Sequence, residues 1–214
     1  MSLISHVLHL GPLDNNTYVL TCEATRESAV VDAGFEPEAV IRFVRERALP
    51  VRYLLNTHAH YDHVAGMRAV QEAVGGDYWL HPADRLLLDH LTEQGAMFGF
   101  PPATGPSPVH DLADGQSLAL GEEMLEVIHT PGHSPGHVTF RWKDDLWAGD
   151  VLFAGSIGRT DLPGGSFEQL EHSIRGRLFP LGDGLRVHPG HGPATTLGRE
   201  RRDNPFVGEN ARFA

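Results

Sequence analysis

Short apolar runs alternate with turn residues through the first third of the chain. Val7 to Leu10, Tyr18 to Thr21 and Ser28 to Asp32 are β-prone. Gly11-Pro12 and Glu23 to Glu27 separate them, so the pattern predicts an antiparallel meander. The period then changes. Between Glu38 and Ala48, the residues Ala39, Val40, Phe43 and Val44 recur at helical spacing, with Arg and Glu between them. Val51 to Leu55 is a compact apolar strand ending in Asn56-Thr57. Val64 to Val74 reads as a helix closed by Gly75-Gly76. Tyr78 to Leu80 is a further strand, and Pro82 to Leu91 a helix with proline at its start.

Residues 94–108 hold four Pro and three Gly and are expected to form a loop. Chain of core character lies on both sides, so the segment is a loop inside one domain and not a linker, and loops of this length are often lids or binding loops. Phe98 and Phe100 within it fit a lid and loop packing equally. Strands are expected at Ser117 to Leu120, Met124 to Ile128, Val138 to Trp142, Leu146 to Ala148 and Leu185 to Val187. Helices are expected at Ser166 to Leu178 and, short and basic, at Thr195 to Arg202. Trp142 and Trp147 fall on strands and read as core. The order is strands, then βα, then strands, then βα. It suggests two sheets faced with helices in a single domain over residues 1–214.

Composition narrows the function. Lys plus Arg is 17 and Asp plus Glu is 28, a net charge of −11. That excess disfavours nucleic-acid partners, which require phosphate neutralisation, and anionic membrane surfaces. No signal-peptide pattern and no long apolar run is visible, so a cytoplasmic protein is expected. A single cysteine, Cys22, excludes an internal disulfide framework and a cysteine-based zinc finger. The 14 histidines nearly equal all Lys and Arg together, which directs attention to a His-ligated metal.

Four segments carry that chemistry. In Thr57-His58-Ala59-His60-Tyr61-Asp62-His63, the preceding strand delivers the chain extended, so His58 and His60 point the same way. Asp62 and His63 lie where the chain turns into the next helix and can aim elsewhere. One segment can thus supply two ligands to each of two neighbouring metals. Three His and an Asp packed together repel when protonated and gain little without a cation. In Thr130-Pro131-Gly132-His133-Ser134-Pro135-Gly136-His137, His133 sits at the apex of a tight loop and is the natural third ligand of the first metal. His129 and His137 compete with it from strand ends. Trp147-Ala148-Gly149-Asp150 places a carboxylate at a strand tip, where it either bridges two cations or caps a turn. His188-Pro189-Gly190-His191-Gly192-Pro193 sets His191 between two glycines, where the backbone can approach a metal closely. His188 reads as structural.

With these segments in this order, the chain resembles the metallo-β-lactamase fold superfamily over nearly its whole length. The resemblance implies an α/β (α+β) fold, an αββα sandwich of two mixed sheets flanked by helices, with a binuclear site at one edge of the sheets. Carried over residue by residue, His58, His60 and His133 would hold one metal. Asp62, His63 and His191 would hold the second, and Asp150 would bridge. The Asp at 150 is similar to the glyoxalase II-like hydrolases, not to the β-lactamases proper. The run Gly155-Ser-Ile-Gly-Arg-Thr-Asp-Leu-Pro-Gly-Gly-Ser166 resembles their short single-domain bacterial members. Those lack the C-terminal helical domain that supplies most glutathione contacts in full-length glyoxalase II.

The implied activity is thioester hydrolysis by a bridging hydroxide, with Asp62 and Asp150 as the catalytic carboxylates. S-D-lactoylglutathione is the first candidate substrate. Imidazole and carboxylate ligands suit two divalent ions per chain, zinc first and iron or manganese next. Arg159 would reach a substrate carboxylate, or Asp161 would pin Arg159 to shape the pocket. Alternatively, the pair simply holds its loop. The partner expected is a small-molecule thioester, with the protein a monomer or homodimer. Competing readings are a persulfide dioxygenase holding one iron through His58, His133 and Asp150, a lactonase or another thioesterase at the same site, and a non-catalytic metal-binding module.

Overall fold

The computed structural model describes residues 2–212. Its first sheet contains β1 (Leu3–Leu10), β2 (Asn15–Cys22), β3 (Ser28–Val31), β4 (Val51–Leu55), β5 (Asp77–Leu80) and β6 (Val109–Asp111), in that spatial order. The β1–β2 and β2–β3 pairs are antiparallel, whereas β3 to β6 run parallel. The second sheet has the order β14-β13-β10-β9-β8-β7. Its strands are β7 (Ser117–Leu120), β8 (Glu123–His129), β9 (Val138–Trp142), β10 (Asp145–Gly149), β13 (Arg186–Pro189) and β14 (Thr195–Thr196). Only β10 and β13 pair in parallel. A small hairpin of β11 (Leu152–Phe153) and β12 (Ser156–Ile157) follows β10.

Helices cover both outer faces. The first sheet carries α1 (Pro37–Glu46), α2 (Tyr61–Val64), α3 (Met67–Val74), α4 (Arg85–Asp89) and α5 (Leu91–Met97), and the second carries α6 (Phe167–His172) and α7 (Leu197–Asp203). Alternation along the strands builds the layers, because successive side chains leave a strand on opposite faces. Val19, Val30 and Leu54 pack outward against Val40, Val44, Met67 and Val70 of α1 and α3. Their neighbours Leu20, Val31 and Leu55 pack inward on Leu125, Val127, Phe140 and Trp147 of the other sheet. Leu146 and Ala148, flanking Trp147, face Leu170, Ile174 and Leu197. The result is the expected αββα order. No helix among the described residues is long and apolar enough to cross a membrane.

Several expected elements differ in detail. The helix expected from Val64 begins earlier and divides into α2 and α3 at Ala65-Gly66. A Cβ on Gly66 would lie 2.9 Å from the Gly34 carbonyl oxygen, so close passage of the 33–34 backbone accounts for the glycine there. The helix expected over 82–91 is a 3₁₀ turn, Pro82–Asp84, followed by α4. The expected loop 94–108 opens as the end of α5, and β6 begins directly after it. Tertiary contacts stabilise α5 despite its glycine: Leu91 is buried, and the Gln94 amide donates to the Ala59 and Leu87 carbonyls. The helix expected over 166–178 continues past α6 as a π-helical turn, Ser173–Leu178. Trp147 is fully buried, while Trp142 is half-buried with its indole N–H on Glu123.

Candidate metal centre

The four chemistry-bearing segments leave the sheets at one end: after β4, β8, β10 and β13. After β4, the chain is fixed by Asp32, a buried residue with φ +56° at the tip of β3. Its carboxylate accepts from the Asn56 amide, from the Thr57 N–H at 2.8 Å and from the Thr57 hydroxyl at 2.6 Å. Asn56 also donates to the His63 carbonyl, closing the ligand-bearing turn on itself. His60 N-caps α2, so Asp62 and His63 stand in the first turn of that helix.

His58, His60 and His133 converge. The Nε2 of His133 lies 2.8 Å from His60 Nδ1 and 3.2 Å from His58 Nε2. His133 donates its Nδ1–H to the Arg159 carbonyl at 2.8 Å, which leaves a lone pair on the Nε2 that faces the other two rings. Beside this triad, Asp62, His63 and His191 form a second group, with His191 Nε2 at 3.2 Å from Asp62 Oδ2. Asp150 stands between the two. Its carboxylate oxygens lie 3.5 Å from His63 Nε2, 3.5 Å from His191 Nε2 and 3.7 Å from His133 Nε2. All seven sequence-derived ligand positions therefore come together. Gly190 is required beside them, because a Cβ there would lie 2.2 Å from Asp150 Oδ1.

Not every polar atom of these residues finds a hydrogen-bond partner. His60 Nε2, His63 Nε2 and Asp150 Oδ1 are buried without a partner. Burial, reinforced by the neighbouring imidazoles, pushes His58 well below the ordinary histidine range and His60 down to about 3. Those rings are neutral, the form in which imidazole binds metal. The second group behaves oppositely. Burial disfavours charge on His63, but Asp150, Asp62 and Asp32 raise it well above the usual value. Burial likewise opposes the carboxylates, yet His63 holds Asp62 and Asp150 far below theirs. One buried and one partly exposed carboxylate thus demand positive charge where two imidazoles offer nitrogen. This donor set fits divalent cations.

A third combination, Asp32 with His58 and His63, also brings ligand atoms together. Asp32 is already occupied by its hydrogen bonds, and it takes Nδ1 of His63 at 3.1 Å, turning Nε2 toward Asp150. Its role is to orient His63. The remaining histidines serve elsewhere. His137 accepts the Asp150 backbone N–H on Nε2 and bonds Thr130 through Nδ1. His129 donates to the Pro135 carbonyl and stacks on His81. His188 bonds Asp145 and stacks on Trp147.

Three positioning side chains are absent from the sequence reading. Asp32 had a signal, since Ala29-Val30-Val31-Asp32 is an apolar strand ending in a carboxylate, like Trp147 to Asp150. Asn15, whose amide donates to the Asp62 carbonyl and carboxylate, had none. Nor did Asp84, which is fully buried after β5. It accepts from the Ala59 N–H at 3.0 Å, the Ser134 hydroxyl at 2.7 Å and the Gly136 N–H at 2.5 Å. One carboxylate thereby ties the His58–His60 segment to the His133 loop.

The cluster forms the floor of a cleft of about 350 Å³. Leu13, Tyr61, Phe98, Phe100 and Leu162 wall it, with Gln94 and Arg159 as polar lining. Phe100 stacks on Tyr61 at 5.4 Å and packs edge-on against Phe35 at 5.1 Å, so it is part of the wall. Phe98 stands at the rim, 53% exposed. Arg159 places Nε and Nη2 on the Asp161 carboxylate, each at 2.7 Å.

Residues 10–191 match the Metallo-beta-lactamase superfamily. The chain is 39% identical over 186 residues to the hydroxyacylglutathione hydrolase GloC of Haemophilus influenzae, covering 85% of this chain and 88% of that one. Among solved structures it is similar to the BLEG-1 B3 metallo-beta-lactamase, with TM-score 0.87 and 37% identity over 95% of this chain and 99% of the other. It is also similar to TTHA1623 in a di-iron-bound form, with TM-score 0.86 and 39% identity over 94% and 99%.

Proposed function

The chain belongs to the metallo-beta-lactamase superfamily, and on that premise we propose that it is a metal-dependent thioesterase of the glyoxalase II type. The observation that carries this is the pair of adjacent ligand groups with Asp150 between them. His58, His60 and His133 would hold one divalent ion, Asp62, His63 and His191 the other, and Asp150 would contact both. The similarity to a di-iron-bound structure supports two ions, and zinc, iron and manganese all suit the donor set. Bound ions lower the pKa of water toward about 7 and polarise a carbonyl oxygen.

The protein's own groups do the rest. Asp62, held by Asn15 and 19% exposed, faces the cleft and orients the attacking water. The scissile bond is the acyl C–S bond, whose leaving group is a thiolate that is stable near neutral pH. Such a bond needs no strong general acid. The cleft fits this demand, because the Tyr61 hydroxyl in its wall already donates to the Pro101 carbonyl. The relative named hydroxyacylglutathione hydrolase supports S-D-lactoylglutathione as the first substrate to test.

The test is hydrolysis of that thioester by protein loaded with zinc, iron or manganese, beside His60→Ala. Turnover lost in the variant is expected. Silence from wild-type protein carrying two ions overturns this substrate. Oxygen uptake on a persulfide by protein carrying one iron overturns the reaction class.

Arg159 is the substrate-facing residue of this reading, and Asp161 fixes its angle. With its charge matched, Arg159 offers a substrate a hydrogen-bonding and packing surface. Arg159→Ala is expected to raise KM about fivefold, the effect of one hydrogen bond of about 1 kcal/mol, at constant kcat. Metal analysis of the same preparation separates this from damage to the centre, since a fall in bound metal would place Arg159 in the support of His133 instead.

A further inference from the structure

The cleft walls are largely apolar, and the donors and the charge of their polar groups are mostly taken up by the protein itself. The Gln94 amide donates to the Ala59 carbonyl at 3.1 Å and the Leu87 carbonyl at 2.6 Å. The Tyr61 hydroxyl donates to the Pro101 carbonyl at 2.8 Å. The Arg159 cation is matched by Asp161. Outside the metal ligands, the described cleft lining therefore presents no uncompensated cation to a carboxylate. A charged group entering this space would lose hydration without a matching charge. Apolar surface, in contrast, is left uncovered. Phe98 is 53% and Leu13 48% exposed, and Met97 beside Phe98 is 66% exposed. Exposed apolar side chains that continue into a concave site mark the ligand's own apolar part.

We propose that this cleft is an acyl pocket, holding an uncharged aliphatic or aromatic acyl group between Leu13, Phe98, Phe100 and Leu162 while the thiol carrier extends toward solvent. The assignment rests on the thioesterase reading and narrows it. Thioesters with apolar acyl groups are better substrates than those whose acyl group is small and hydroxylated. The pocket discriminates by buried methylenes, each of which favours binding about fourfold.

Binding and turnover are tested separately. Ethyl, butyl and hexyl thioethers of N-acetylcysteamine cannot be hydrolysed, and zinc-loaded protein is titrated with each by calorimetry. Kd is expected to tighten about fourfold per added methylene until the cleft is filled. Phe98→Ala with Phe100→Ala is expected to reduce that gain below about twofold per methylene. Phe98→Ala alone, at an exposed position, is expected to reduce it in part if the double variant does not fold. A Kd independent of chain length in the wild-type protein overturns the proposal. So does self-association of the protein that is lost in Phe98→Ala, which would assign the rim to a contact between copies. The acetyl, hexanoyl and benzoyl thioesters of the same carrier form the second arm. Chain-length-dependent binding without turnover would support the pocket and overturn the thioesterase reading. Turnover that ignores the acyl group would do the reverse.

Discussion

Asp150→Ala is expected to lower kcat/KM by at least about 10³-fold, the scale on which a reaction loses its main electrostatic support. The reason is position. Asp150 lies within 3.7 Å of ligand nitrogens from both groups, including His133 on one side and His63 and His191 on the other. Removing it leaves five imidazoles and Asp62 to hold charge that two carboxylates now share. Bound metal is expected to fall below two ions per chain by elemental analysis. Far-UV circular dichroism should be preserved, because Asp150 follows β10 and its backbone bond to His137 does not use the side chain. Full metal content with unimpaired turnover would remove Asp150 from the centre. Asp150→Asn keeps the shape and loses the charge, so it separates the two contributions.

The second large effect is structural at its origin. Asp84→Ala leaves the Ala59 N–H, the Ser134 hydroxyl and the Gly136 N–H without their acceptor. Each buried orphan costs about 1–3 kcal/mol. Loss of the carboxylate offsets part of this, because burial raises the Asp84 pKa despite those three hydrogen bonds, so the ion itself is held at a cost. A net loss of about 3–4 kcal/mol is expected. In a chain of this size it corresponds to a Tm lower by roughly 6–15 °C. The same change frees the His133 loop from the His58–His60 segment, so metal affinity should fall about 10- to 100-fold, as when other groups supporting ligands are lost. Chelator competition measures the second effect, and thermal denaturation of metal-free protein the first. A variant that melts with the wild type would show that the two loops hold their register without Asp84.

The ligands themselves were legible in the sequence because each is announced locally. His58 to His63, His133, Asp150 and His191 all follow an apolar run, and glycine or proline marks the last three. The sandwich was legible for a related reason: short apolar runs between turn residues mark strands buried on both faces, as β2 and β10 are, and helical spacing in α1 marks its buried stripe. What could not be read depends on contacts between distant segments. Asp84 looks like an ordinary residue of a helix start, and its three partners lie 25 to 52 residues away. Asn15 opens β2 and meets Asp62 across 47 residues. The two-residue strands β11 and β12 are too short to show any period. In α5, Gly95 masks a helix whose stability comes from Leu91 and Gln94.

The gathering of ligands from four separated strand ends also orders events during synthesis. His60 meets His133 across 73 residues, whereas Asn15 and Asp62 meet His191 only once the chain has been made through that residue. A ribosome adds about 5–20 residues per second, so these pairings become available seconds apart. The three-histidine group can assemble once β8 and β9 have emerged. The carboxylate-rich group waits for β13 and His191, and until then Asp62 and Asp150 lack one of the cationic partners that hold them ionised. A divalent ion arriving early would therefore meet the neutral nitrogen ligands first, and the full set of seven donors exists only once the chain has been made through His191.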